Sequence, residues 1–334
     1  MRQHVYIILF ALTLTSCFDK KQEPRNNVYR PEFDISTDNR NIICSYYEKD
    51  KASIYQIDIT NNQKTKVSPI TDYSLIKPLF SPDNKKIGCL AESLTEDIKS
   101  KICLIDINSK ALIDVTNDSL LILEFVFDPS GQSIYFTAAG HFGNYSPVAR
   151  KAPHEIDIYN IDIGTKRIQK ITDFDSYDLQ GLSINNGGDS LLFRLTAKSK
   201  SGLYLMDIKS KELQQITASN DLRAEKKLTA YEYYTPVLSK DNSKIAYTEP
   251  YELYIMDRQT KISKLIFRNE PNLVNIGDAR FFYSYNYLMI SLPTNSKTPN
   301  STGYNYGFYT LNPETNELKT LDLWELLLLT AHLQ

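Results

Sequence analysis

Glycine is scarce in this chain, 12 of 334 residues, and so are histidine (4), cysteine (4) and tryptophan (1). No glycine-rich phosphate loop and no G-x-S-x-G elbow occurs, so the sequence carries no signature of P-loop or nucleophile-elbow chemistry. Two of the four histidines, His4 and His332, lie at the chain ends, so a histidine-based centre would have to draw on His141 or His154. The formal net charge is only −2, which gives no electrostatic case for nucleic acid or for an anionic membrane surface. No apolar run reaches the roughly 18 residues of a membrane-spanning helix. Helical periodicity is nearly absent, and tyrosine is abundant, with 23 residues.

The first residues read as an address. Arg2 precedes an apolar run, Val5 to Leu14, of signal-peptide length. Leu14-Thr15-Ser16-Cys17 resembles a bacterial lipobox. That resemblance implies cleavage before Cys17, acylation of Cys17 with diacylglyceryl and palmitate-type chains, and stable anchoring because more than one chain is buried. The expected layout is a signal peptide at 1–16, lipidated Cys17 and a polar, proline-containing tether to residue 31, a repeat domain at 32–323, and an apolar tail at 324–334. By resemblance to Gram-negative lipoprotein sorting, Phe18 rather than Asp directly after Cys17 implies the outer membrane, facing either the periplasm or the cell surface.

The repeat domain is built on one recurring pattern: apolar, Tyr, any, apolar, Asp. It occurs as "IYQID" 54–58, "ICLID" 102–106, "IYNID" 158–162, "LYLMD" 203–207, "LYIMD" 253–257 and "FYTLN" 308–312. The spacing is roughly 50 residues. A second run precedes each, as in "IICSY" 42–46 and "IAYTE" 245–249, and follows a turn such as "STDN" 36–39, "SPDN" 81–84 or "SKDN" 239–242. Fourth runs end in Ile/Val-Thr, as at Ile70-Thr71-Asp72 and Val115-Thr116-Asn117. Four short strands per unit at this period predict an all-β, six-bladed β-propeller of four-stranded antiparallel blades. The sixth unit lacks the turn signature. A β-sandwich or an unrelated solenoid does not explain the recurring four-strand unit.

"FSPDNKKIGCLAE…KICLIDINSKALIDVTND" resembles the TolB-like propeller repeat, a WD-repeat-like family with SPDG and LT(D/N) signatures. The resemblance covers about residues 32–323, and the full S-P-D stands only at Ser81-Pro82-Asp83.

The repeated Asp58, Asp106, Asp162, Asp207, Asp257 and Asn312 are expected to cap turns by accepting backbone N–H groups, since six identical catalytic carboxylates are implausible. Cys44 and Cys89 occupy positions where other units carry Phe136, Phe193 and Tyr247, and Cys103 replaces the recurring Tyr. Buried free thiols are therefore expected rather than a disulfide framework.

Long connections are expected on one face. They run 93–101, 140–155, 218–235 and 293–307, while the turns on the opposite face are short and uniform. The candidate binding residues there are His141, Tyr145, Arg150, His154, Tyr231, Tyr233, Tyr234, Tyr304 and Tyr306. Aromatics among polar residues suit a protein interface or sugar stacking. Two histidines thirteen residues apart match no metal motif, and no metal or cofactor is expected. The leading functional expectation is a non-enzymatic, lipid-anchored envelope propeller that binds a protein partner. The alternative is a glycan-binding or glycan-processing surface lipoprotein, with a metal-dependent lyase or hydrolase using His141 and His154 behind it.

Overall fold

A computed structural model describes residues 28–48, 51–93, 99–117, 119–144, 151–198, 200–216, 234–249, 251–269, 276–283, 287–294 and 306–321. Cys17, Tyr145, Arg150, Tyr231, Tyr233, Tyr304 and the tail 324–334 lie outside the described residues.

Short apolar runs rich in Ile, Tyr and Phe, cut by Asp/Asn/Gly turns, favour antiparallel strands. Among the described residues the chain is strand and turn, with no helix. The first meander is β1 (Val28–Ile35), β2 (Asn41–Glu48), β3 (Lys51–Asp58) and β4 (Gln63–Lys66). The second is β5 (Tyr73–Phe80), β6 (Lys86–Ser93), β7 (Ser100–Asp106) and β8 (Leu112–Asp114). The third is β9 (Leu121–Phe127), β10 (Ser133–Asn144), β11 (Lys151–Asp162) and β12 (Ile168–Lys170). The fourth is β13 (Asp178–Ile184), β14 (Ser190–Ala197), β15 (Lys200–Asp207) and β16 (Leu213–Ile216). The fifth is β17 (Tyr234–Leu238), β18 (Lys244–Glu249), β19 (Glu252–Asp257) and β20 (Ser263–Arg268). The sixth is β21 (Ala279–Phe281), β22 (Leu288–Pro293), β23 (Tyr306–Leu311) and β24 (Leu318–Thr320). Strands pair in chain order within each meander, and the second and third join into one eight-stranded sheet through a single parallel pairing, Ser100 with Leu121. β1 starts inside the stretch read from sequence as tether.

The second strands are buried on both faces, as in β2 and β22, because each sheet packs against a neighbour on either side. The cores sit between consecutive meanders. Ile43 and Ile54 pack with Leu75 and Cys89, and Leu192 and Leu203 with Ile245 and Tyr247. The sixth meander packs back on the first: Phe33 meets Phe308 edge-on at 5.3 Å within a cluster that also holds Ile42 and Met289. Cys44, Cys89 and Cys103 are free and buried in this packing, and burial pushes the Cys44 and Cys89 thiols up to about 12.

The turns between first and second strands share one geometry. The opening residues are Ser36, Ser81, Asp128, Asn185, Ser239 and Phe282, and each donates its N–H to the carbonyl five residues on. The sixth turn thus keeps the spacing without the S-x-D-N signature, because the closing bond is a backbone property. The signature adds only side-chain bonds, such as Lys86 N–H to Ser81 Oγ at 2.9 Å. Three residues after the opening, the backbone turns to positive φ at Asn39, Asn84, Gly131, Gly188 and Asn242, a conformation Asn and Gly tolerate best.

These positive-φ residues join neighbouring turns. Asn84 Oδ1 accepts the N–H of Thr37 at 3.1 Å, Asn242 Oδ1 that of Asn186 at 3.3 Å, and Asn39 Oδ1 that of Tyr283 at 2.7 Å. The matching positions in the second and third turns are Pro82 and Pro129, which have no N–H to give. There the neighbour carries glycine: a Cβ on Gly131 or Gly188 would lie 3.4 or 3.3 Å from the proline ring. Asn faces an N–H, and Gly faces a proline.

The turns between third and fourth strands repeat a different cap. Oδ1 of Asp58, Asp106, Asp162, Asp207 and Asp257 accepts both the N–H and the hydroxyl of a Thr or Ser two or three residues on, and Asn312 accepts from Glu314 and Thr315 N–H. These bonds hold the Asp257 carboxyl below its ordinary range. The hydroxyl ending the fourth strands also has a partner: Thr116 and Thr172 Oγ1 accept the N–H of Ile102 and Ile158, both at 2.9 Å.

Candidate functional site

A cavity of about 550 Å³ is lined by the first strand of every meander and by the turns that follow. Counting back from the turn openings gives two layers of side chains. Four residues back stand Glu32, Lys77, Glu124, Gly181, Thr235 and Asp278. Two residues back stand Asp34, Leu79, Val126, Ser183, Val237 and Arg280. At about 3.3 Å per strand residue the two layers lie roughly 7 Å apart. One residue past the opening, Thr37, Pro82, Pro129, Asn186, Lys240 and Tyr283 form the third layer.

The inner strands are irregular where they line the cavity. Register shifts fall between Tyr29 and Phe33, Ile76 and Leu79, Gln180 and Ser183, and Tyr234 and Val237, and β10 shifts where it faces Glu124 and Ile122. Such bulges re-aim side chains and release ladder bonds. Lys77 and Thr235 have φ of 50° and 43° just before Pro78 and Pro236, and positive φ is an outlier for a β-branched residue. Gly181 also has positive φ, and a Cβ there would lie 2.1 Å from Pro236 Cδ, so no other residue fits. Strain of this kind costs on the order of 1–3 kcal/mol per residue and concentrates at ligand sites.

Polar cavity residues take up the N–H groups between neighbouring inner strands. Asp34 Oδ2 accepts from Phe80 at 2.9 Å, and Glu124 Oε2 from Leu182 at 3.0 Å. Lys77 Nζ donates to Leu123 O at 2.9 Å and stands 3.8 Å from Glu124. Arg280 Nη1 meets Asp278 Oδ1 at 2.7 Å. Lys240 Nζ sits 3.8 Å from the centre of the Tyr283 ring. Burial pushes the Asp34 carboxyl up, with Lys240 and Arg280 opposing. Burial also pushes Asp278 up to about 6 against the pull of Arg280. The Lys240 ammonium is pushed down by burial and supported by Asp34. Buried acids beside half-buried cations, facing a cavity, are the arrangement expected of a site rather than of a packed core.

Of the binding residues singled out from sequence, the four that are described, His141, His154, Tyr234 and Tyr306, are placed elsewhere. His141 and His154 oppose each other across β10 and β11, rings 6.5 Å apart, on strands that pair out to Asn144 and Lys151. Much of the expected loop 140–155 is therefore a long hairpin. His154 Nε2 donates to Gly143 O at 3.2 Å, and no group of three or more metal-ligating residues occurs among the described residues. Tyr234 lies under the Arg194 guanidinium at 4.6 Å, and Arg194 is tied to Asp178 at 2.9 Å. Tyr306 packs beside Gly277. The charged cavity residues escaped the sequence reading, although their signal was present: Glu32, Lys77, Glu124 and Asp278 interrupt the first apolar run at one fixed distance before the turn.

No protein-family model and no curated protein matches the chain. Solved structures do. TolB from Acinetobacter baumannii superposes with a TM-score of 0.60 at 16% identity, over 87% of this chain and 62% of that one. An oligogalacturonate lyase in complex with manganese gives 0.56 at 10% identity, over 89% and 77%. A nidogen/laminin complex gives 0.54 at 10%, over 74% and 81%. The chain thus spans about 62% of the length of that TolB. These likenesses establish a β-propeller fold, and they speak to fold alone.

Proposed function

We propose that the chain is a closed six-bladed propeller that serves as a non-enzymatic protein-binding module of the bacterial envelope. It is held to the membrane, most simply the outer membrane, by lipid on Cys17. The partner engages the axial cavity at the end formed by the turns between first and second strands. The observation that carries this reading is the cavity itself, lined at fixed positions along the inner strands and the turns that follow them by Glu32, Asp34, Glu124, Lys240, Asp278 and Arg280. Closure is supported by the shared core of the first and sixth meanders and by the Asn39–Tyr283 bond. A protein partner is supported by the fold shared with TolB and with a nidogen/laminin complex.

A glycan ligand is the second reading, supported by the fold shared with oligogalacturonate lyase and by Tyr283 at the cavity mouth. Capture from envelope extract, compared with a glycan array, separates the two. The first reading predicts a protein retained by the wild type and lost by Lys240→Glu. Array binding without a captured protein would replace it with the second.

A further inference from the structure

Two cations in the axial cavity have unused donors. Arg280 commits Nη1 to Asp278 Oδ1 and Ala279 O, and among the described residues its Nε and Nη2 have no hydrogen-bond partner. Lys240 has three donors. Among the described residues its Nζ makes no hydrogen bond or ion pair and rests only on the Tyr283 ring. Asp34 is close enough to act electrostatically on both cations, yet its hydrogen bond goes to the Phe80 N–H and it stands outside ion-pair distance of Lys240. Lys240 and Asp34 therefore share one cavity without meeting, beside the Arg280–Asp278 and Lys77–Glu124 ion pairs.

That arrangement selects a ligand by charge. A simple cation would satisfy the acids and crowd Lys240 and Arg280. A simple anion would satisfy those two and face Asp34, Glu32 and Glu124. A molecule carrying both charges meets each with its opposite. The free edge of the Arg280 fork and the Lys240 ammonium suit a carboxylate, and the acids suit an ammonium. The volume of about 550 Å³ lies within the roughly 300–1,000 Å³ of small-molecule sites.

We propose that the axial cavity binds a small zwitterion, an amine and a carboxylate on one molecule of amino-acid or short-peptide size. The carboxylate is held by Lys240 and Arg280, and the amine by the acids of the inner strands. This rests on the reading that the cavity is the binding site.

The test is calorimetric titration of the purified full chain with lysine, glutamate and alanyl-alanine, alongside alanyl-alanine blocked at its amine or amidated at its carboxylate. At least one zwitterion binds, and blocking either charge weakens binding at least about thirtyfold, the range for removing one partner of a buried charge pair. Lys240→Met weakens it similarly, while Lys85→Met, on an exposed position of the second turn, leaves it unchanged. The blocked ligands test the wild type directly, so the result stands even if Lys240→Met fails to fold. Blocked forms that bind as well as the free ones, or no binding of any zwitterion at millimolar concentration, overturn the proposal. Partner capture in the same preparation separates the two readings: capture that survives Lys240→Glu removes the cavity as the binding site, whereas capture lost in Lys240→Glu with no zwitterion bound removes this inference alone.

Discussion

Asn39 Oδ1 accepts the backbone N–H of Tyr283 at 2.7 Å, joining residues 244 apart in sequence. Asn39 is buried and its φ is positive. One side chain thus both shapes the first turn and ties it to the last. The same bond recurs between turns adjacent in sequence, Asn84 with Thr37 and Asn242 with Asn186, where the chain itself already keeps the partners close. At the junction of the first and sixth meanders no short connection does that work, so the Asn39 bond carries more of the contact between those two turns.

Asn39→Gly keeps the backbone conformation and removes the acceptor. The expected loss is about 1 kcal/mol in denaturant unfolding, the net value of one hydrogen bond. Asn39→Ala should lose roughly 1–2 kcal/mol more, because a Cβ disfavours positive φ. Equal stability of the two variants would mean the bond, not the conformation, is all that Asn39 supplies.

Pro82 and Gly131 should be coupled. Gly131→Asn alone gains nothing, because Pro82 has no N–H and its ring lies against the new side chain. With Pro82→Ala in place, the amide side chain introduced at position 131 finds the kind of donor that Asn84 finds in Thr37. A double-mutant cycle should give a favourable coupling of about 1 kcal/mol. Strict additivity would refute the pairing of Asn with N–H and Gly with proline.

The fold class was legible because its signals are local and repeated. Strand alternation, S-x-D-N turns and the Tyr-x-apolar-Asp cadence each report on one meander, and they recur. The sixth turn was missed because it opens on Phe282, which has no polar side chain, while its backbone keeps the closing bond. The cavity was missed for a different reason. Glu32, Glu124 and Asp278 come from strands far apart in sequence, and only the sheet arrangement brings them to one axis. Each alone reads as a polar break in a strand. The histidine pair shows the converse: thirteen residues apart in sequence, His141 and His154 face each other because a hairpin extends further than its loop-like composition implied.

Asp278 should leave a mark on the pH dependence of stability. Its folded pKa of about 6 lies above the ordinary 3.8, so the folded state holds the proton more tightly than the unfolded chain. Its contribution to stability is full below pH 3.8 and is lost as pH rises toward about 6. Burial drives the shift, Arg280 opposes it, and Glu32 and Glu124 add to it. Asp278→Asn imitates the protonated carboxyl at every pH and keeps an oxygen acceptor for Arg280, so it should show a shallower decline over that interval. An unchanged slope in urea melts between pH 4 and 6.5, about the span of the shift, would refute the assignment.

Cys17→Ala should abolish acylation and release the protein from membranes, with metabolic labelling by a fatty acid as the readout. Label on the variant, or its retention in the membrane fraction at high salt, would contradict a lipid anchor at that position.

The most direct measurement is the affinity of the recovered partner for two sets of variants of the full chain. Lys240→Glu and Glu124→Lys alter the cavity, while Tyr234→Ala and Tyr306→Ala alter residues expected from sequence on the long-loop face. Circular dichroism and thermal melts confirm folding of each. The cavity account predicts at least about thirtyfold weaker binding in the first set and little change in the second. Intact binding by the charge variants, with loss in the tyrosine variants, would contradict it.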